Sequence, residues 1–411
     1  MRVKNAGCYN VACCPALKRR FLDMIDKLKS PLHSSAHRYR RVVIKAGSGL
    51  LTEGVGQLDF EVIRSLVDQI AYLHSFGADT LLVTSGAVAA GRHVLDIGEG
   101  RKNLPDRQVM ASVGQGRLMH VYEQNFSRHE IIVAQALLSR RDLSDRHGYL
   151  NIRNTLMTLL ERRVVPIVNE NDVVAIEELT GENFGDNDTL SAMCANLIDA
   201  DLLVLLGEID GVYTKDPYVD PKADLIRVID LARDDADRFA GPSIDGKGRG
   251  GMSTKIEAAK LATTSGVDVV IANGQEPDVL IKLVEGSNIG TLFPGSGSKF
   301  ESRKRWLLSG LSESGRVQID EGAANAIRNG NKSLLPAGVT KALGKFNRGD
   351  IISIVDPQLI RVAYGVTNYD SVDIEVIKGM QSSDIGSILA NNFGEEVVHR
   401  NNMVVINEFD A

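Results

Sequence analysis

The sequence predicts an α/β fold with a mainly parallel sheet covered by helices on both faces, followed by a smaller, mostly β domain. Short unbroken Val/Ile/Leu runs recur from Arg41 onward, as suits strands buried on both faces, and between them lie longer stretches with apolar residues at helical spacing. After Phe293 the texture changes to a Pro/Gly/Ser-rich stretch and then to short strand-like pieces separated by Gly, Asn and Pro. At 411 residues the chain is also longer than one hydrophobic core usually serves.

Taken in order, strands are predicted over 42–44, 81–83, 131–133, 164–168, 202–206 and 267–271. Between the first two, Phe60, Ile63, Leu66, Val67, Ile70 and Leu73 recur at helical spacing, with Asp59 placed to cap the helix and Gly77 to end it in the left-handed conformation. A second helix follows Asp188 through Leu190, Met193, Cys194, Leu197 and Ile198. The βαβα order is that of an α/β sandwich. The larger domain is expected over 40–300, a linker over 301–314, and a small domain over 315–411 with strands at 316–319, 351–355 and 359–364 and a helix at 321–328. The first 39 residues are basic and lack a partner element, so they are expected to form an extension outside the fold, with Met24 as an alternative start.

Composition excludes several classes. A net charge of −6 gives no general attraction for nucleic acid or an anionic membrane, so phosphate chemistry has to be local. There is neither a bilayer-length apolar run nor an N-terminal apolar block of the secretory kind, and the cytoplasm is the expected compartment. Cys8, Cys13 and Cys14 crowd the N-terminus without ligands at zinc spacing, and Cys194 falls on an apolar helix face, so neither a metal site nor a disulfide framework is expected.

Four motifs carry chemistry. Lys45-Ala46-Gly47-Ser48-Gly49 follows the first strand, where glycines let backbone N–H groups face an anion and the lysine adds a point charge; a plain tight turn is the alternative. Thr84-Ser85-Gly86-Ala87 ends the next strand, where open α/β sheets bind ligands, or Ser85 only caps the helix that follows. Asn169-Glu170-Asn171-Asp172 and Gly185-Asp186-Asn187-Asp188 gather acids that need cations or ligand donors nearby, unless they only form turns, with Asp188 as a helix cap. Gly246 to Lys255 is a glycine-rich loop entering a helix, with Thr254 and Glu257 at capping-box spacing. Lys255 falls in that helix's first turn, which disfavours a cation, so a neighbouring anion such as a triphosphate is expected; the alternative is a solvated surface lysine.

In this order and wording the motifs resemble the amino-acid kinase family from Arg40 onward. Gly211-Val212-Tyr213-Thr214 with Asp216-Pro217 adds to the likeness, and so, more weakly, does Arg303-Lys304-Arg305-Trp306. The resemblance implies a three-layer sandwich that transfers phosphate from ATP, brought as its Mg2+ complex, to the side-chain carboxylate of L-glutamate on the way to proline. Acetylglutamate or aspartate are the rival acceptors, and an RNA-binding or regulatory protein that keeps the kinase fold without its activity is the rival from another class. It implies that Lys45 and Lys255 neutralise the phosphoryl group in flight while Asp188 holds both lysines. It assigns Ser85, Gly86, Asp172 and Asn187 to the amino-acid substrate. Lys45, Gly47, Gly207, Glu208, Arg249, Gly250, Gly251, Met252, Ser253, Thr254 and Lys255 fall to ATP. Gly207 and Glu208 stand where the family usually has Thr-Asp, Ala46 where a larger aliphatic is common, and Arg249 where a threonine is common. A homo-oligomer, proline as feedback inhibitor and a downstream glutamyl-phosphate reductase are further implications. Gly344, Phe346, Arg348, Gly349 and Asp350 resemble a PUA domain, a small β-barrel often found on RNA-modifying enzymes. From Gly315 on there are nine Lys and Arg against twelve Asp and Glu, which opposes RNA binding and favours a structural or regulatory part.

Overall fold

The computed structural model describes residues 39–53, 57–96, 103–144, 146–174, 187–231, 233–234, 236, 251–296, 314–330, 332–390 and 393–406. The predicted extension over 1–39 therefore lies outside the described residues except for Tyr39, as does the linker over 301–314 except for Ser314.

Seven strands form the first sheet: β1 (Arg41–Ala46), β2 (Asp79–Val83), β3 (Val133–Leu138), β4 (Val165–Glu170), β5 (Leu202–Gly207), β6 (Asp268–Asn273) and β7 (Thr291–Phe293), in the order β3-β4-β2-β1-β5-β6-β7. All neighbours are parallel except β6 and β7. The unbroken apolar runs have a direct use here. Val42, Ile44, Leu82, Leu202, Val204 and Leu206 enter one hydrophobic core. Their neighbours in sequence, Val43, Leu81, Val83, Leu203 and Leu205, enter the other. Alternate side chains point to opposite faces, so a strand covered on both sides is apolar at every position.

Helices α1 (Phe60–Ser75), α2 (Ala87–Leu95) and α3 (Leu104–Ser127) supply the first core, and α4 (Arg146–Glu161), α5 (Asn187–Leu197) and α6 (Met252–Thr263) the second. Helix α1 starts as expected, with the Asp59 carboxylate accepting from the amides of Glu61 and Val62, and Gly77 follows its end at φ +87°. Helices α2 and α3 cross so closely that a Cβ on Gly91 would lie 1.7 Å from the Met110 carbonyl oxygen and one on Gly114 1.8 Å from that of Ala87.

Two expected boundaries and one expected cap are corrected. The strand placed at 131–133 begins at Val133, because the Ile131 amide instead closes the turn after α3 onto Phe126. The strand placed at 359–364 runs Arg361–Val366, because Leu359 adopts φ +63° in a turn that the Asp356 carboxylate holds by accepting from Gln358 and Ile360. Thr254 and Glu257 make no capping box: Gly251 is the N-cap of α6.

The C-terminal region has its own core and a five-stranded mixed sheet of β8 (Gly315–Ile319), β9 (Val339–Leu343), β10 (Ile351–Val355), β11 (Arg361–Val366) and β12 (Met403–Val405), ordered β9-β8-β10-β11-β12. Helix α7 (Glu321–Gly330) follows β8. Leu150 of α4 packs with Ile351, Val366 and Val404 of this sheet.

Candidate active site

The carboxyl end of β1, at the middle of the parallel sheet, meets the N-termini of α5 and α6. Lys45, the fifth residue of β1, places Nζ 2.6 Å from Asp188 Oδ1, and Lys255 places its Nζ 3.0 Å from Asp188 Oδ2. The Thr254 hydroxyl also lies 2.9 Å from Asp188 Oδ2 and 2.9 Å from the Gly251 carbonyl. Asp188 is fully buried, and Lys45 and Lys255 are 3% and 9% exposed. Burial alone would push the Asp188 carboxyl up; the two ammonium groups outweigh it and hold the carboxyl well below the usual range. One carboxylate thus serves two ammonium groups in a desolvated place, and a further anion beside such a pair of cations would be stabilised.

Two sequence-based readings change. Asp188 is not the cap of α5 but sits inside its first turn, where the helix dipole favours an anion. The alternative of a solvated surface lysine falls for Lys255, which is buried and donates to Asp188 at 3.0 Å.

Bare backbone surrounds the lysines. A Cβ on Gly47 would lie 3.2 Å from Lys45 Nζ, and one on Gly207, at the end of β5, 3.3 Å from Lys255 Cε. Gly86, the N-cap of α2, has φ +103°, a conformation that favours glycine. Cations flanked by side-chain-free turns and helix N-termini fit a polyphosphate. Glu208, exposed beyond β5, rests its carboxylate against the helical turn Ser48–Leu51, 2.9 Å from where a Cβ on Gly49 would be. Asp210 accepts from Asn273 Nδ2 at 3.0 Å and lies 3.2 Å from the Tyr213 hydroxyl, which joins the loops beyond β5 and β6.

A second, uncharged cluster occupies the adjoining strand ends. The Thr84 amide donates to Val168, which brings Ser85 beside Asn169. Asn187 Nδ2 lies 2.9 Å from Ser85 Oγ, 3.1 Å from the Thr84 carbonyl and 3.3 Å from Asn169 Oδ1. Asn169 Nδ2 donates to Gln115 Oε1 at 2.8 Å, and Tyr122 shares a 2.8 Å hydrogen bond with Thr84 Oγ1. Burial drives the Tyr122 hydroxyl far above its ordinary titration range, so it stays protonated. Asp172 lies in the turn after β4, half-buried.

Lys45, Asp188, Thr254 and Lys255 thus meet in one place, and Ser85 and Asn187 in the cluster beside it. Gly251, Met252 and Ser253 form the entry to α6, while Gly185, Asp186, Arg249 and Gly250 lie outside the described residues. Sequence reasoning missed Gln115 and Tyr122 because it did not predict α3. The signal was present: Ala111, Leu118, Tyr122 and Phe126 recur at helical spacing, and Gln115 is the polar residue on that apolar face.

The chain matches the amino acid kinase family over residues 40–273 and the PUA domain over residues 315–389. The glutamate 5-kinase of Dehalococcoides mccartyi strain CBDB1 is 51% identical over 368 residues, 90% of this chain and 99% of the relative. That of Caldanaerobacter subterraneus subsp. tengcongensis is 44% identical over 366 residues, 89% of this chain and 98% of the relative. Among solved structures, the UMP kinase of Bacillus anthracis aligns with 63% of this chain and 97% of its own at 18% identity and a TM-score of 0.45, too distant to carry an argument. The chain belongs to the amino acid kinase family, within it to the glutamate 5-kinases, and its strand-rich C-terminal part is a PUA domain.

Proposed function

We propose that the chain transfers the γ-phosphoryl group of ATP to the side-chain carboxylate of L-glutamate, giving L-glutamate 5-phosphate and ADP, the first step toward proline. The buried Lys45–Asp188–Lys255 triad, which holds two ammonium groups side by side, supports this reading most strongly. An oxygen of the acceptor carboxylate bonds to the γ-phosphorus as the bond to the β,γ-bridging oxygen breaks. The acceptor is already an anion and ADP leaves as one, so no general base is required. Asp188 accordingly works as the holder of two lysines, and the lysines offset the charge spread over the phosphoryl oxygens.

Ser85, the Gly86 amide and Asn187 orient glutamate, and Asp172 takes its ammonium. Lys45, Gly47, Gly207, Glu208 and the loop from Arg249 to Lys255 hold ATP, positioning being the main catalytic task in such transfers. Mg2+ enters with the nucleotide, as the magnesium complex of ATP. The same reading takes 40–300 as the catalytic domain and 315–411 as a structural or regulatory one. It also includes a homo-oligomer, proline as inhibitor and a reductase that consumes the acyl phosphate. A cytoplasmic location belongs to it too; no helix among the described residues is long and apolar enough to cross a membrane.

Turnover with MgATP and hydroxylamine tests the reading, because hydroxylamine traps an acyl phosphate as its hydroxamate. Hydroxamate is expected from L-glutamate, not from aspartate or acetylglutamate, and is expected to vanish in Lys255→Ala. No hydroxamate from folded protein, or an equal yield from aspartate, overturns it.

A further inference from the structure

The amides beside the triad form a chain with a fixed direction. Asn187 faces the Thr84 carbonyl at 3.1 Å, and a carbonyl only accepts, so the atom turned toward it is Nδ2. The Glu170 amide donates to Asn169 at 2.9 Å, which fixes that acceptor as Oδ1, the same oxygen that faces Asn187 Nδ2. Asn169 therefore turns Nδ2 toward Gln115, and Gln115 has to answer with Oε1. Two backbone groups thus set the orientation of three side-chain amides. At the ends of the chain, Asn187 Oδ1 and Gln115 Nε2 are buried without a hydrogen-bond partner among the described residues. Native proteins seldom leave such groups unmatched.

We propose that Gln115 is a positioning residue for the acidic amino-acid substrate: by accepting from Asn169 it locks the amide chain whose far end presents Asn187 Oδ1 as an acceptor for the substrate's ammonium. This rests on the reading of the site as an amino-acid kinase site. Gln115 is 9% exposed and is carried there by the close crossing of α2 and α3, since its neighbour Gly114 touches the first residue of α2. Without the Gln115 oxygen, Asn169 Nδ2 becomes a buried donor with no partner and gains by rotating away, which releases Asn187. The lysines and the nucleotide loops are not part of this chain.

Steady-state kinetics on the full chain tests the proposal with Gln115→Met, Asn169→Ala and the double variant. Gln115→Met is expected to raise the KM for glutamate about tenfold, the loss of one buried hydrogen bond, while the KM for ATP stays within about twofold because the lysine side is untouched. Because Gln115 acts through Asn169, the double variant is expected to be no worse than Asn169→Ala alone. An unchanged KM for glutamate, equal rises in both KM values, or additive single effects overturn the proposal. Should Gln115→Met not fold, Gln115→Glu, which keeps an acceptor oxygen, is expected to show a lesser defect than Asn169→Ala, and an equal defect overturns the proposal. If the wild type turns over aspartate or acetylglutamate instead, the reading of the acceptor falls and the same cycle is run on that acid. If it turns over no acid, both fall.

Discussion

Asp188 touches two ammonium groups and a hydroxyl with its two oxygens. In Asp188→Asn the lysines lose their common anchor while the backbone around them keeps its course. A kcat lower by about 10²- to 10³-fold is expected, the scale of losing one preorganised charge-stabilising group, measured as ADP release with saturating glutamate. The carboxyl is held below its ordinary value in the folded chain, so its contribution to stability is complete above the unfolded pKa of about 3.9 and is lost as the pH falls from there toward the depressed folded pKa. Denaturant titrations at several pH values are expected to show the stability gap between wild type and Asp188→Asn narrowing below about pH 4. At this scale the three residues of the cluster stood out in the sequence, Lys45 because it comes one residue before a glycine-containing turn, Asp188 and Lys255 because they stand at helix entries. Gln115 and Tyr122 were not, because a polar group inside an apolar helix face shows its purpose only when a strand from elsewhere in the chain meets it.

Helices α2 and α3 illustrate what an element must give up to place a side chain. Their crossing works because Gly91 and Gly114 have no Cβ, and each faces rigid backbone rather than a side chain that could rotate aside. Gly114→Ala is therefore expected to cost at least about 1–3 kcal/mol, the usual range for overpacking a filled core, read from the denaturant midpoint. It is also expected to raise the KM for glutamate more than that for ATP, because the crossing seats Gln115. The parallel strands were legible since burial on both faces demands continuous apolar runs. Strand ends were less so: at 131–133 and 359–364 apolar residues continue into turns, and only hydrogen bonding stops the strand there.

Across the whole molecule, Arg153 is one of the residues that tie the kinase-family part to the PUA domain. This arginine of α4, 3% exposed, donates to the Leu197 carbonyl at the end of α5, pairs with Asp199 at 2.7 Å and reaches Asn402 Oδ1, just before β12, at 3.1 Å. Arg153→Met takes a donor from the buried Leu197 carbonyl and Asn402 and a cation from partly buried Asp199. A loss of about 3 kcal/mol is expected, the lower end for breaking a buried pair because Asp199 keeps some contact with water, measured as a lower Tm by circular dichroism. Nothing in the sequence marked Arg153, whose partners lie 44 or more positions away.

Strand β1 is hydrogen-bonded to β2 on one side and to β5 on the other, with apolar cores above and below. Its amides have no route to solvent that leaves the sheet intact, so they are expected to exchange hydrogen for deuterium only when the whole sheet opens. Lys45 rides on that strand. The Lys45 ammonium is thus attached to the last part of the protein to loosen, and fraying at the edge strands β3 and β7 leaves it in register. On gradual heating, turnover and the slowest-exchanging amides should disappear in one transition.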